Sequence, residues 1–78
     1  MKPEHYVGKT LSELADQTGV SWQPIHVFVL EDEEDDTGKH LMAAYSLRQI
    51  ITAHPAAAAA TVVTANDYYG DIVLRVKS

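Results

Sequence analysis

Apolar and polar positions along the chain follow two rhythms. Leu11, Leu14 and Ala15 recur at i, i+3 and i+4, the spacing of one helix face. Thr10-Leu11-Ser12-Glu13 has the form of a capping box, in which the Thr10 hydroxyl accepts from the Glu13 amide and Glu13 reaches back. A short helix over about Thr10 to Thr18 is predicted, with Gly19 placed to end it in a left-handed cap. After Pro24 the rhythm changes. Ile25-His26-Val27-Phe28-Val29-Leu30 is rich in β-branched and aromatic residues and too short for a buried helix, so it predicts a strand. His40-Leu41-Met42-Ala43-Ala44-Tyr45 is its hairpin partner, across a polar turn in which Gly38 supplies a flexible position.

A second capping box, Ser46-Leu47-Arg48-Gln49, opens a second helix whose apolar face is Leu47, Ile50 and Ile51, with Pro55 just beyond its end. The alanine run Ala56 to Ala60 reads either as an extension of that helix or as a bridge to the next element. Residues 61–65 and 72–76 are strand-like, and Asn66-Asp67-Tyr68-Tyr69-Gly70-Asp71 between them has the composition of a hairpin turn. Both halves therefore run helix, strand, polar turn, strand, the order of an (αββ)₂ pseudo-repeat. The expected architecture is an α+β two-layer sandwich with a four-stranded antiparallel sheet and both short helices on one face. At 78 residues the chain has room for a single small domain, residues 1–78.

Charge changes this picture in one place. The net charge is -5, yet six of the eleven acids form the run Glu31-Asp32-Glu33-Glu34-Asp35-Asp36, so the remainder, with six basic and five acidic residues, is nearly neutral. The run predicts a solvated loop tip and argues against a nucleic-acid partner held by its phosphates. As a calcium loop it fails on spacing: a start at Glu33 puts Gly38 at the sixth position but Ala44 at the twelfth, where a bidentate Glu is required. No stretch approaches the about 20 apolar residues of a membrane span, and Met1-Lys2-Pro3-Glu4-His5 lacks the apolar core of a signal peptide. The absence of cysteine removes disulfides, thiolate metal sites and thiol nucleophiles, and fits a cytoplasmic setting.

Residues 11–25 carry the sharpest look-alike. A small Ala15, Gly19 four residues on, and an apolar Ile25 six beyond it resemble the bacterial helix-turn-helix, which implies a DNA-binding regulator whose second helix Ser21 would cap. That helix would run through residues 25–30 into six acids and offer no Arg or Lys before Lys39, so its groove-facing side would repel phosphate. Catalysis finds no footing. Ser12, Ser21, Ser46 and Ser78 have no nucleophile-elbow setting, and Gly8-Lys9-Thr10 lacks the first glycine and preceding strand of a phosphate loop. His5, His26, His40 and His54 have no metal-ligand spacing, although His26 and His40 flank one predicted hairpin. No catalytic, cofactor-binding or metal residue is assigned.

The function expected is a small noncatalytic interaction or structural module, either self-associating or contacting another protein. Alternation along the first strand puts Ile25, Val27 and Val29 on one face and His26, Phe28 and Leu30 on the other; the second strand puts Leu41 and Tyr45 opposite Met42. Whichever face meets the helices, the other keeps large apolar groups, which predicts a homodimer through the sheet. Phe28, Leu30, Tyr68 and Tyr69 are the candidate contact residues, the two tyrosines because a turn cannot bury both rings.

Overall fold

A computed structural model describes residues 3–32, 34 and 38–78; the remainder of the acidic run and Thr37 lie outside the described residues. The fold is α+β. A 3₁₀ turn, Pro3–Tyr6, leads to helix α1 (Leu11–Gln17), strands β1 (Ile25–Val29) and β2 (Lys39–Ala44), helix α2 (Leu47–Ala53), a 3₁₀ segment Pro55–Ala59, and strands β3 (Thr61–Tyr68) and β4 (Asp71–Lys77). Both helices pack on one face of a four-stranded sheet, over Ile25, Val27, Val62, Ile72, Leu74 and Val76. Leu11 and Leu14 of α1 and Leu47 and Ile50 of α2 fill this core, as their spacing requires.

The helix ends show how much of this is local. Thr10 Oγ1 accepts from the Glu13 amide at 3.1 Å and donates to the Glu13 carboxylate at 3.3 Å. In α2 the Ser46 hydroxyl accepts from Arg48 N rather than from Gln49 N, which bonds the Ser46 carbonyl instead. Gly19 does not supply a left-handed cap. α1 ends because Thr18 turns to an extended conformation (φ -111°, ψ 141°), its amide and hydroxyl both donating to the Leu14 carbonyl at 2.9 and 2.8 Å. His54 separates α2 from the alanine segment, which is the bridge of the two readings.

Both expected hairpins form, β1 with β2 and β3 with β4. The sheet, however, is mixed rather than antiparallel: its order is β2-β1-β4-β3, and the central pair β1 and β4 is parallel, with Ile25 opposite Ile72 and Val29 opposite Val76. Composition explains the order. β1 and β4 carry the apolar runs suited to the sheet centre, while Lys39 on β2 and Thr61, Thr64, Asn66 and Asp67 on β3 suit edges. The pseudo-repeat gains nothing from this order, since β1 is central and its counterpart β3 is an edge. The start of β3 is covered by the N-terminal segment, where Gly8 N donates to Val62 O and Val62 N to Lys9 O. Gly8, Lys9 and Thr10 thus have structural work in pairing and capping.

Two register shifts depart from strict alternation. Val27 pairs with Met42 and Phe28 with His40, so Leu41 is an extra residue, and both Leu41 and Met42 pack against the core instead of dividing between faces. Val63 is the corresponding extra residue in β3. β3 also runs on through Tyr68, leaving only Tyr69 and Gly70 in the turn. The helix-turn-helix resemblance stops at α1: the residues of its second helix are strand β1, and the Ser21 hydroxyl closes a local turn by accepting from Gln23 N at 3.1 Å. Among the described residues, no helix is long and apolar enough to cross a membrane.

Candidate functional site

The sheet register brings scattered aromatic residues to one end of the molecule. Ile25 pairs with both Ala44 and Ile72, and Tyr68 with Asp71, so the loop before β1, the residue after β2 and the β3–β4 turn all meet there. Backbone bonds fasten the loop: Ser21 N donates to Tyr45 O at 2.6 Å and Ile72 N to Pro24 O at 2.9 Å. Five large apolar side chains stand in solvent at this end, namely Val20, Trp22, Tyr45, Tyr68 and Tyr69. Trp22 is 99% exposed and Tyr69 92%. The Tyr68 and Tyr69 rings meet edge to face at 4.6 Å, so each partly props the other in water.

Beside Trp22 lies a groove of about 500 Å³. Buried Tyr6, Ile25 and Ile72 line its inner part, Gln17 at the end of α1 and loop residues 18–23 line the rest, and no residue in the lining carries a charge at neutral pH. Tyr6 is only 4% exposed, and its hydroxyl has no hydrogen-bond partner among the described residues. Burial raises its pKa by disfavouring the phenolate. The unfolded chain therefore loses this proton at lower pH than the folded one, and stability that is whole at neutral pH falls as pH rises past about 10. Tyr6→Phe is expected to flatten that alkaline loss, as read by thermal melts across the range; an unchanged alkaline slope would contradict it.

The sheet face away from the helices is less apolar than alternation suggests. Phe28 and Leu30 project from β1 and its end as expected but are half-buried. The His40 ring sits 4.9 Å from the Phe28 ring, and the Arg75 guanidinium lies 5.7 Å from its centroid. His26 and His40 do meet across the hairpin, with ring centroids 5.5 Å apart, and His26 Nε2 lies 2.9 Å from Asp71 Oδ2. Among the described residues no group of three His, Cys, Asp or Glu is placed to hold a metal ion. A smaller groove of about 360 Å³ runs between Phe28 and Tyr68 over Val73, with Asn66 and Arg75 beside it.

Of the candidate residues named from sequence, Tyr69 therefore belongs to the aromatic end and Phe28 and Leu30 to the mixed face, while Tyr68 stands at the aromatic end and also lines the groove beside Phe28. Sequence reasoning passed over Trp22, Val20 and Tyr6. The available signal was Gly19-Val20-Ser21-Trp22-Gln23-Pro24, a turn-rich stretch that carries the only tryptophan of the chain. Tyr6 gave no signal, because its position against the groove depends on the N-terminal segment pairing with β3. No family model, curated protein or solved structure matches this chain.

Proposed function

We propose that this chain is a small noncatalytic interaction module that self-associates, and that its contact surface is the aromatic end of the sheet. The observation that carries the reading is the gathering of Val20, Trp22, Tyr45, Tyr68 and Tyr69, all exposed, at that one end. Trp and Tyr dominate contact energetics because each buries a large rigid area at small entropic cost, and clustered exposure of this kind marks interaction surfaces. The end is preferred to the sheet face that the strand pattern first suggests, because Phe28 and Leu30 are half-buried and basic groups ring Phe28.

Tyr69 supports the same reading from the backbone. It occupies the first central position of a two-residue turn at φ +51°, with Gly70 at +88°, the left-handed pair of a type I′ hairpin. Asn is the favoured residue there, and a bulky side chain costs about 1–2 kcal/mol in that conformation. A strained aromatic held in water is a cost to folding that a contact can offset. Tyr69→Asn is accordingly expected to raise stability by about 1 kcal/mol while weakening self-association. Urea titration and light scattering on the same variant read the two effects. A variant that is more stable and associates as the wild type does would remove Tyr69 from the contact.

A further inference from the structure

We infer that two copies of this chain pair about a two-fold axis so that Trp22 of each seats in the groove beside Tyr6 of the other, its indole Nε1–H donating to the Tyr6 hydroxyl oxygen. The inference rests on the reading of the aromatic end as the contact surface and names what fills it.

Knob and hole are both present on one surface. Trp22 is 99% exposed and its indole N–H has no partner among the described residues. The adjoining groove of about 500 Å³ is large enough for such a ring, and its inner lining of Tyr6, Ile25 and Ile72 is apolar apart from one hydroxyl. That hydroxyl, on a residue 4% exposed, lacks a partner among the described residues as well. A free donor on the knob and a free acceptor in the hole are complementary. Because the groove carries no charge, it suits a neutral indole better than an acidic or basic side chain. A surface with both halves of the contact side by side is self-complementary, which is the requirement of a two-fold interface.

Charge favours a second copy at this end over one at the end where β1 runs into acidic residues. Glu31, Asp32 and Glu34 follow the end of β1 at Val29, at the opposite end of the sheet. Pairing through the aromatic end therefore sets these acids of the two copies far apart, where solvent and salt screen them.

Trp22 is the sole tryptophan, so its emission reports this contact without a label. In a dilution series of the full chain, emission is expected to move to shorter wavelength as concentration rises, in step with a doubling of mass in sedimentation equilibrium. Trp22→Ala should raise the dissociation constant by at least about 30-fold, the scale of an aromatic hot spot. Tyr6→Phe, which keeps the ring and the fold, should raise it roughly 2- to 10-fold. Short-wavelength emission at every concentration with a mass of 8.6 kDa would mean that Trp22 folds into its own groove, and would overturn the inference. So would a dimer with exposed-type emission. A dimer kept in Trp22→Ala but lost in Tyr69→Asn would overturn the inference and leave the aromatic-end reading standing. A monomer with exposed-type emission throughout would end both.

Discussion

Leu74→Ala is expected to remove about 2–5 kcal/mol of stability, much of what a domain of this size has to lose. Leu74 is fully buried on β4, the strand that joins the two hairpins by pairing parallel with β1 and antiparallel with β3. Its cross-strand neighbours are Val27 and Ala65, and its face is covered by the helices. Truncation leaves a cavity where neither the sheet nor the helices can collapse without breaking strand register, which places the loss at the upper part of the range. A urea titration should show a lower midpoint with an unchanged slope, or no folded baseline at all. A change below about 1 kcal/mol would mean that β4 is not central.

Gly38→Val is expected to be the next most damaging change, costing more than about 2 kcal/mol through two separate effects. Gly38 has φ +65°, where a β-branched residue is strained. A Cβ there would also stand 3.1 Å from Phe28 Cβ, 3.1 Å from the Val29 carbonyl oxygen and 3.2 Å from Leu30 Cδ2. The carbonyl belongs to backbone and cannot step aside, so the turn must deform. Gly38→Ala meets both effects with less bulk and should fall between the wild type and the valine variant in thermal melts. Equal stability of all three would show that the chain leaves β1 by another route.

Much of the fold was written in local chemistry. Thr10 and Ser46 mark both helix starts because a capping hydroxyl acts within three residues, and the apolar spacing of Leu11-Leu14 and Leu47-Ile50 sets the buried face. Both hairpins follow from strand composition around polar turns. What local chemistry does not encode is how the hairpins meet. Val29 and Val76 pair across more than half of the chain, and that parallel contact depends on which strands the helices cover. Leu41 shows a second limit. Alternation assigns it to the face opposite Met42, but an extra residue in β2 turns both toward the core, which is one reason the far face is less apolar than its pattern suggests. The site was legible in part, through Tyr68 and Tyr69. Trp22 and Tyr6 join it only once the register sets the loop before β1 beside the start of β4. The His26–Asp71 contact likewise follows from the parallel pairing and has no counterpart in sequence spacing.

The claim that the aromatic end is the contact surface is tested most directly by amide and aromatic chemical shifts followed through a dilution series of the full chain. The account predicts concentration-dependent shifts at Val20, Trp22, Tyr45, Tyr68 and Tyr69, with His26, Phe28 and His40 nearly still. Shifts concentrated at Phe28, His40 and Arg75 would move the contact to the open sheet face, and a spectrum unchanged up to high concentration would contradict self-association altogether.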